Sequence, residues 1–244
     1  MYILALDGSG LSLSVAVAGE DAVYAEYIVN NKKTHSQTLL PAVKEVLAMV
    51  GKSIIDMDYV AVTKGPGSFT GLRICASTAK GLCLYTNKPI VPVPTTECLA
   101  YNYEGSDKLI CPIMDARRNQ VYTALYSFEN EGRGLERSRT GLVTHIDTAA
   151  LDISDIISEI NKYDREVIFL GDGVRPYEKI IKENIKVPYS FAPVQNNLQK
   201  ASSLARAAAK RIDCAEVVSA MDFVPDYYRL SQAERERMEK GLDI

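Results

Sequence analysis

Residues Lys64 to Arg73 read Lys-Gly-Pro-Gly-Ser-Phe-Thr-Gly-Leu-Arg and join a short apolar run, Tyr59 to Thr63, to a helical stretch, Thr70 to Tyr85. Gly65, Gly67 and Gly71, with Pro66, Ser68 and Thr70 between them, require a backbone that either turns sharply or admits another group at close range. Free N–H groups at the start of the following helix could hold an anion there. The segment is not a Walker A loop, because its lysine precedes the glycines and no Gly-Lys-Ser/Thr follows the required gap. The plain alternative is a strand-to-helix turn capped by Ser68 or Thr70.

Other candidate chemistry is sparse. His35 is followed four residues on by Leu39, where a second helical metal ligand would stand, and the other histidine is His145; neither spacing makes a metal site. His35 is expected to orient the start of a helix. Ser36 adjoins His35, but neighbours on a helix point to different faces, and there is no Gly-x-Ser-x-Gly elbow, so a hydrolase triad finds no support. Five cysteines, at 75, 83, 98, 111 and 214, form no Cys-x-x-Cys pair, which suits buried free thiols in a reducing compartment.

The chain must position these residues with 244 of its own, enough for one large domain or two small ones. Its net charge of −3 argues against a broad phosphate-binding surface, so for any nucleic-acid contact a partner is expected to supply most of the grip. Arg133, Arg137 and Arg139 are the one local basic cluster. No apolar stretch approaches the ~18 residues of a membrane span, and the run Tyr2 to Leu6 is too short for a signal segment, so a cytoplasmic location is expected.

Two similar halves emerge. Tyr2 to Leu6 is an apolar strand ending in Asp7-Gly8-Ser9-Gly10, followed by alternating strands at Leu11 to Ala18 and Val23 to Val29. Leu109 to Met114 repeats the theme, ending at Asp115 with Ala116-Arg117-Arg118-Asn119, and Val121 to Phe128 alternates as its return strand. Helix, strand and helix are expected next at Ser36 to Val50, Tyr59 to Thr63 and Thr70 to Tyr85. In the second half they are expected at Thr148 to Ile160, Val167 to Leu170 and Arg175 to Glu183. Such a pattern predicts an α/β protein with mixed sheets and helices on their faces. The expected divisions are 1–105, 106–220 and a charged tail at 221–244.

An aspartate ending the first strand of each half resembles the superfamily of actin, heat-shock chaperones and sugar kinases, which implies two ribonuclease H-like lobes. Working members hold Mg²⁺ and ATP phosphates between the two turns. In the first turn Asp7, Ser9 and Gly10 could do this, with Gly8 and Gly10 leaving amides accessible. In the second, Arg117 and Arg118 stand where glycine is used and obstruct close backbone approach. The adenosine-contact motif, Gly171-Asp172-Gly173, is equally explained by a strand-to-helix turn. An ATP-dependent small-molecule kinase is therefore the alternative assignment.

The chain more closely resembles the TsaB (YeaZ) family. The marks are Ile3 to Asp7, His35-Ser36-Gln37 leading to Leu39-Leu40-Pro41, Gly65 to Arg73, Ala79-Lys80-Gly81-Leu82, Asp115 to Arg118 before Val121-Tyr122, and Pro225-Asp226-Tyr227-Tyr228-Arg229. The resemblance implies a non-catalytic subunit for making threonylcarbamoyladenosine in tRNA. It further implies a catalytic partner, TsaD, an ATPase partner, TsaE, a homodimer when alone, and no cofactor of its own beyond ATP or ADP at the interface with TsaD.

Periodicity offers a surface for such a partner. At about 100° per residue, Leu39, Leu40, Val43, Val46, Leu47 and Val50 belong to an apolar arc wider than one sheet needs. The second helix carries small residues that let another helix approach. The plain alternative is a well-buried helix pair within one core; the family resemblance makes these residues, with Arg73, Ala76, Ala79 and Lys80, the expected interface.

Overall fold

The structure, a computed structural model, describes residues 1–30, 34–117, 119–131 and 139–228. Arg118, Arg133, Arg137 and the tail beyond Tyr228 lie outside the described residues, as do parts of the basic cluster around Arg139.

Among the described residues, ten strands and six α-helices form two lobes. The first holds β1 (Ile3–Asp7), β2 (Leu13–Ala18), β3 (Val23–Val29), α1 (His35–Met49), β4 (Tyr59–Gly65), α2 (Phe69–Thr86), β5 (Ile90–Pro94) and the short α3 (Thr95–Ala100). The second holds β6 (Leu109–Asp115), β7 (Gln120–Glu131), β8 (Arg139–Asp152), α4 (Ile153–Ile160), β9 (Val167–Leu170), α5 (Val174–Asn184) and β10 (Tyr189–Phe191), and α6 (Ala201–Asp213) follows. The sheet orders are β3-β2-β1-β4-β5 and β10-β9-β6-β7-β8. The two are one topology used twice. In each, a central strand pairs antiparallel with its hairpin partner and parallel with the strand that follows the first helix. This is the expected α/β architecture of two ribonuclease H-like lobes.

The second-half helix differs from expectation at its start. Thr148 to Asp152 continue β8, with Val121 opposite Leu151 and Gln120 opposite Asp152. The helix begins after Asp152, whose Oδ1 accepts the Ser154 amide at 2.9 Å. Helix α6 lies within the 106–220 span by sequence, yet it packs across β1 and β2 of the first sheet. Its buried face includes Ala201, Leu204, Ala205, Ala207 and Ala208, small enough to let the helix sit close to the first sheet. A single core cluster therefore runs from Ile3 and Ala5 through α6 to Ile110, Met114 and Leu170.

The glycine loop is fixed by packing. Gly65 has φ +122° and Gly67 φ +157°, and an added side chain at Gly67 would overlap the Ser9 carbonyl, at Gly71 the Gly8 carbonyl, and at Gly65 the Asp226 carbonyl. The Ser68 amide donates to the Ser9 carbonyl at 2.7 Å, and the Ser68 hydroxyl accepts the Gly71 amide at 3.2 Å as the α2 N-cap. Gly81, by contrast, meets nothing within 4 Å. Gly71→Ala is expected to lower unfolding free energy by more than ~3 kcal/mol through backbone displacement. Gly81→Ala should raise it by about 0.5 to 1 kcal/mol through helix propensity. Denaturant melts of the two variants test this, and a Gly71→Ala protein melting with the parent would contradict the packing described.

Candidate functional site

Two regions gather the residues singled out by sequence: the cleft between the lobes, and the outer face of α1 and α2.

At the cleft, the carboxylate of the first aspartate turn is sealed. Asp7 is buried, and its Oδ1 accepts from the Ser9 amide at 2.7 Å, the Ser9 hydroxyl at 2.7 Å and the Thr63 hydroxyl at 3.1 Å. Its other oxygen faces the Cys98 thiol at 3.9 Å. Burial pushes the Asp7 carboxyl above its ordinary value, and the bonds from Ser9 and Thr63 pull back. Of the two turn glycines, Gly8 is buried, whereas Gly10 is half-buried and lines the cleft beside Ser9. Gly8 is backed by the Cys75 sulfur and the His35 ring, and Gly10 by the Gln199 amide. His35 does orient the start of α1, its Nε2 lying 3.1 Å from the Gly10 carbonyl. Four of the cysteines are buried and Cys214 is exposed; burial raises the Cys75 and Cys98 thiols, which keeps them neutral.

The second turn has the same local form and a different setting. The Arg117 amide donates to Asp115 Oδ1 at 2.7 Å, as the Ser9 amide does to Asp7, but Asp115 is exposed to the cleft. Arg117 holds φ +62°. Gly171 and Gly173 are required by packing, since side chains there would strike Ile113, and the Gly173 amide donates to the Ile113 carbonyl at 2.9 Å. The Gly-Asp-Gly segment is thus the counterpart of the first glycine loop. Asp172 accepts the Asp115 amide at 3.2 Å, and burial raises its carboxyl.

Between the turns lies a cleft of about 540 Å³, bordered by Ser9, Gly10, Ser68, Thr70, Asp115, Arg117 and Asp172. The buried Asp7 offers this cleft no oxygen, whereas Asp115 is exposed to it and accepts from its own turn on Oδ1. Among the described residues no group of three or more His, Cys, Asp or Glu could hold a metal ion.

The C-terminal segment at the cleft mouth was legible in sequence only as the Pro-Asp-Tyr-Tyr-Arg motif, and its aromatic pair was the signal for an anchor. The Asp226 amide donates to the Lys64 carbonyl at 2.6 Å, and the two side chains pair at 2.8 Å. Tyr227 stacks 4.8 Å from Phe69 and accepts from Arg73 Nε at 3.2 Å, and Tyr228 lies edge-on to Tyr122 of the second lobe.

The helix face requires a correction. Leu39, Val43, Val46 and Leu47 of α1 and Ala76 and Ala79 of α2 are buried in the first lobe's own core, and Val50 packs against it. The wide arc is wide because the twisted sheet below and α2 beside it both cover α1. Arg73 and Lys80 hold the C-terminal segment, Lys80 Nζ donating to the Phe223 carbonyl at 2.8 Å. What remains outside is Leu40, 50% exposed, with Pro41, Lys44 and Met49 on α1, and Ser77, Gly81, Leu84 and Tyr85 on α2.

Comparisons with known proteins agree with this architecture. The family described as "TsaD: tRNA N6-adenosine threonylcarbamoyltransferase" matches residues 22–237. The chain is 35% identical to the tRNA threonylcarbamoyladenosine biosynthesis protein TsaB of Bacillus subtilis, over 98% of this chain and 99% of that protein. It is 30% identical to the protein of the same name from Escherichia coli, over 75% of this chain and 77% of that one. Among solved structures, YeaZ from Pseudomonas aeruginosa superposes with a TM-score of 0.73 at 25% identity, covering 93% of this chain and 99% of its own.

The sealed aspartate makes a testable claim. Because the folded carboxyl is raised, the native state holds its proton to higher pH than the unfolded chain, so Asp7 costs stability as pH rises from the ordinary carboxylate range through its raised value. Asp7→Asn keeps the acceptor for Ser9 and Thr63 and should gain on the parent over that window. Asp7→Ala should lose about 2 to 4 kcal/mol at every pH, having orphaned buried donors. Melts from pH 4 to 8 decide it, and an Asp7→Asn variant that loses ground with rising pH would contradict the assignment.

Proposed function

The chain belongs to the TsaB family, and on that premise we propose that it is the non-catalytic scaffold subunit of a tRNA threonylcarbamoyladenosine-forming complex, pairing with and activating a TsaD-type transferase. The observation that carries this reading is the sealing of Asp7. The carboxylate that the superfamily turns toward metal and phosphate is here a buried acceptor that ties its own turn together. That argues equally against the small-molecule kinase, which needs a phosphate turn open to the cleft in each lobe. Chemistry then belongs to the partner. Nucleotide, ATP or ADP, belongs to the shared interface and to a TsaE-type ATPase, and tRNA is reached through the assembly. The working place is the cytoplasm.

The contact proposed is the outer face of α1 and α2, in the heterocomplex and in a homodimer when the chain is alone. Leu40, Met49, Leu84 and Tyr85 expose apolar surface there, and Ser77 and Gly81 leave room for a helix to lie close. A two-fold arrangement of two helix pairs follows naturally.

Leu40→Glu tests the reading, since Leu40 is half exposed and its charge would be desolvated only in the contact. Against an association worth about 8 to 12 kcal/mol, an unpaired buried carboxylate costs several. The variant should keep the parent's cooperative melt, yet fail to co-elute with TsaD at micromolar concentration. Val46→Glu would instead unfold the chain, because Val46 is core. A folded Leu40→Glu protein that co-elutes unchanged would remove this face from the interface.

A further inference from the structure

Residues Ala220 to Tyr227 carry no helix or strand, yet they sort by threes. Ala220 and Phe223 are buried, at 6% and 2% exposure, and Asp226 turns to Lys64, whereas Met221, Val224 and Tyr227 stand outward at 71%, 64% and 42%. The Phe223 amide donates to the Ser219 carbonyl at 3.1 Å, closing a single turn over Ala220 to Asp222 that sets residues three apart on one side. The backbone is pinned, by Lys80 on the Met221 and Phe223 carbonyls and by the Asp226 amide on Lys64. The outward row is therefore held in place and apolar.

Its position gives it a neighbour. Lys80 meets the segment near Met221 and Arg73 meets it at Tyr227, so the row runs alongside α2 in the opposite direction. Met221 lines the same depression, of about 380 Å³, as Leu84 of α2. Because Val218 bridges to Ile90 on β5 while α1 packs over β2 and β3, the row flanks α2 on the side away from α1. The surface is three strips wide: α1, α2 and this segment.

We propose that the Met221, Val224 and Tyr227 row is the third strip of the surface that receives the TsaD-type partner; this rests on the function proposed above. Area supports it. Helices of 15 and 18 residues, at 1.5 Å per residue and ~10 Å apart, offer a face of roughly 500 Å². A stable interface buries about 800 Å² on each partner, and the third strip supplies much of the difference. The occupant is a like-folded protein, because the transferase family matches this chain from residue 22 to 237 and so carries lobes of the same kind.

The test is the double variant Met221→Asp, Val224→Asp in the full chain, titrated with purified TsaD beside the parent and Leu40→Glu. It should keep the parent's melt and bind TsaD at least tenfold more weakly. Met221→Ser, Val224→Ser serves if the acidic pair lowers the melt, with a smaller loss expected. Affinity within twofold of the parent, while Leu40→Glu abolishes binding, would overturn the third strip and leave the helix face standing. Loss of self-association alone would also overturn it, by assigning the row to a second copy. A parent chain that does not bind TsaD would bring down both readings.

Discussion

The contact on which the rest depends is that between the end of β1 and the loop after β4. Three backbones meet there with no room for side chains: Gly67 against Ser9, Gly71 against Gly8, and Gly65 against Asp226. The Ser68 amide closes the contact on the Ser9 carbonyl, and Asp7 holds the opposite side of the turn through Ser9 and Thr63. A loop with the composition of a phosphate cradle is thereby spent on the protein itself. The second lobe repeats the device with Gly171 and Gly173 against Ile113, which makes it a property of the doubled fold.

From that contact the outer surface follows. The glycine loop sets the start of α2 through the Ser68 cap, and α2 in turn anchors the C-terminal segment at Phe69, Arg73 and Lys80. Helix α3, packed on α6 and on β6 and β7, ties the second sheet to the first, with Thr96 bonded to Tyr126 and Thr148 across the junction at 2.9 and 2.6 Å.

Much of this was legible in residues. The two aspartate turns, the glycine loop, the Ser68 cap and the doubled order of elements follow from alternation, helical period and turn chemistry. Burial direction did not follow. The arc from Leu39 to Val50 has helical period, but period alone cannot say whether a second layer already covers its width, and here α2 does. Thr148 to Leu151 are compatible with helix or strand, and pairing with β7 decided for strand. Helix α6 is hard to read from sequence because its buried side is mostly alanine, an apolar signal too weak to mark a core helix. The segment from Met221 to Tyr228 lacks any regular period of helix or sheet, so its role shows only in what holds it.

The most direct measurement of the central claim, that the phosphate-type turns serve packing and not nucleotide, is calorimetric titration of the isolated chain with ATP and Mg²⁺, with hydrolysis followed in the same samples. The account predicts no binding in the low micromolar range and no hydrolysis by the chain alone, with nucleotide held only when TsaD is present. A low-micromolar dissociation constant with measurable hydrolysis, both lost in Asp7→Asn while the melt is kept, would contradict it.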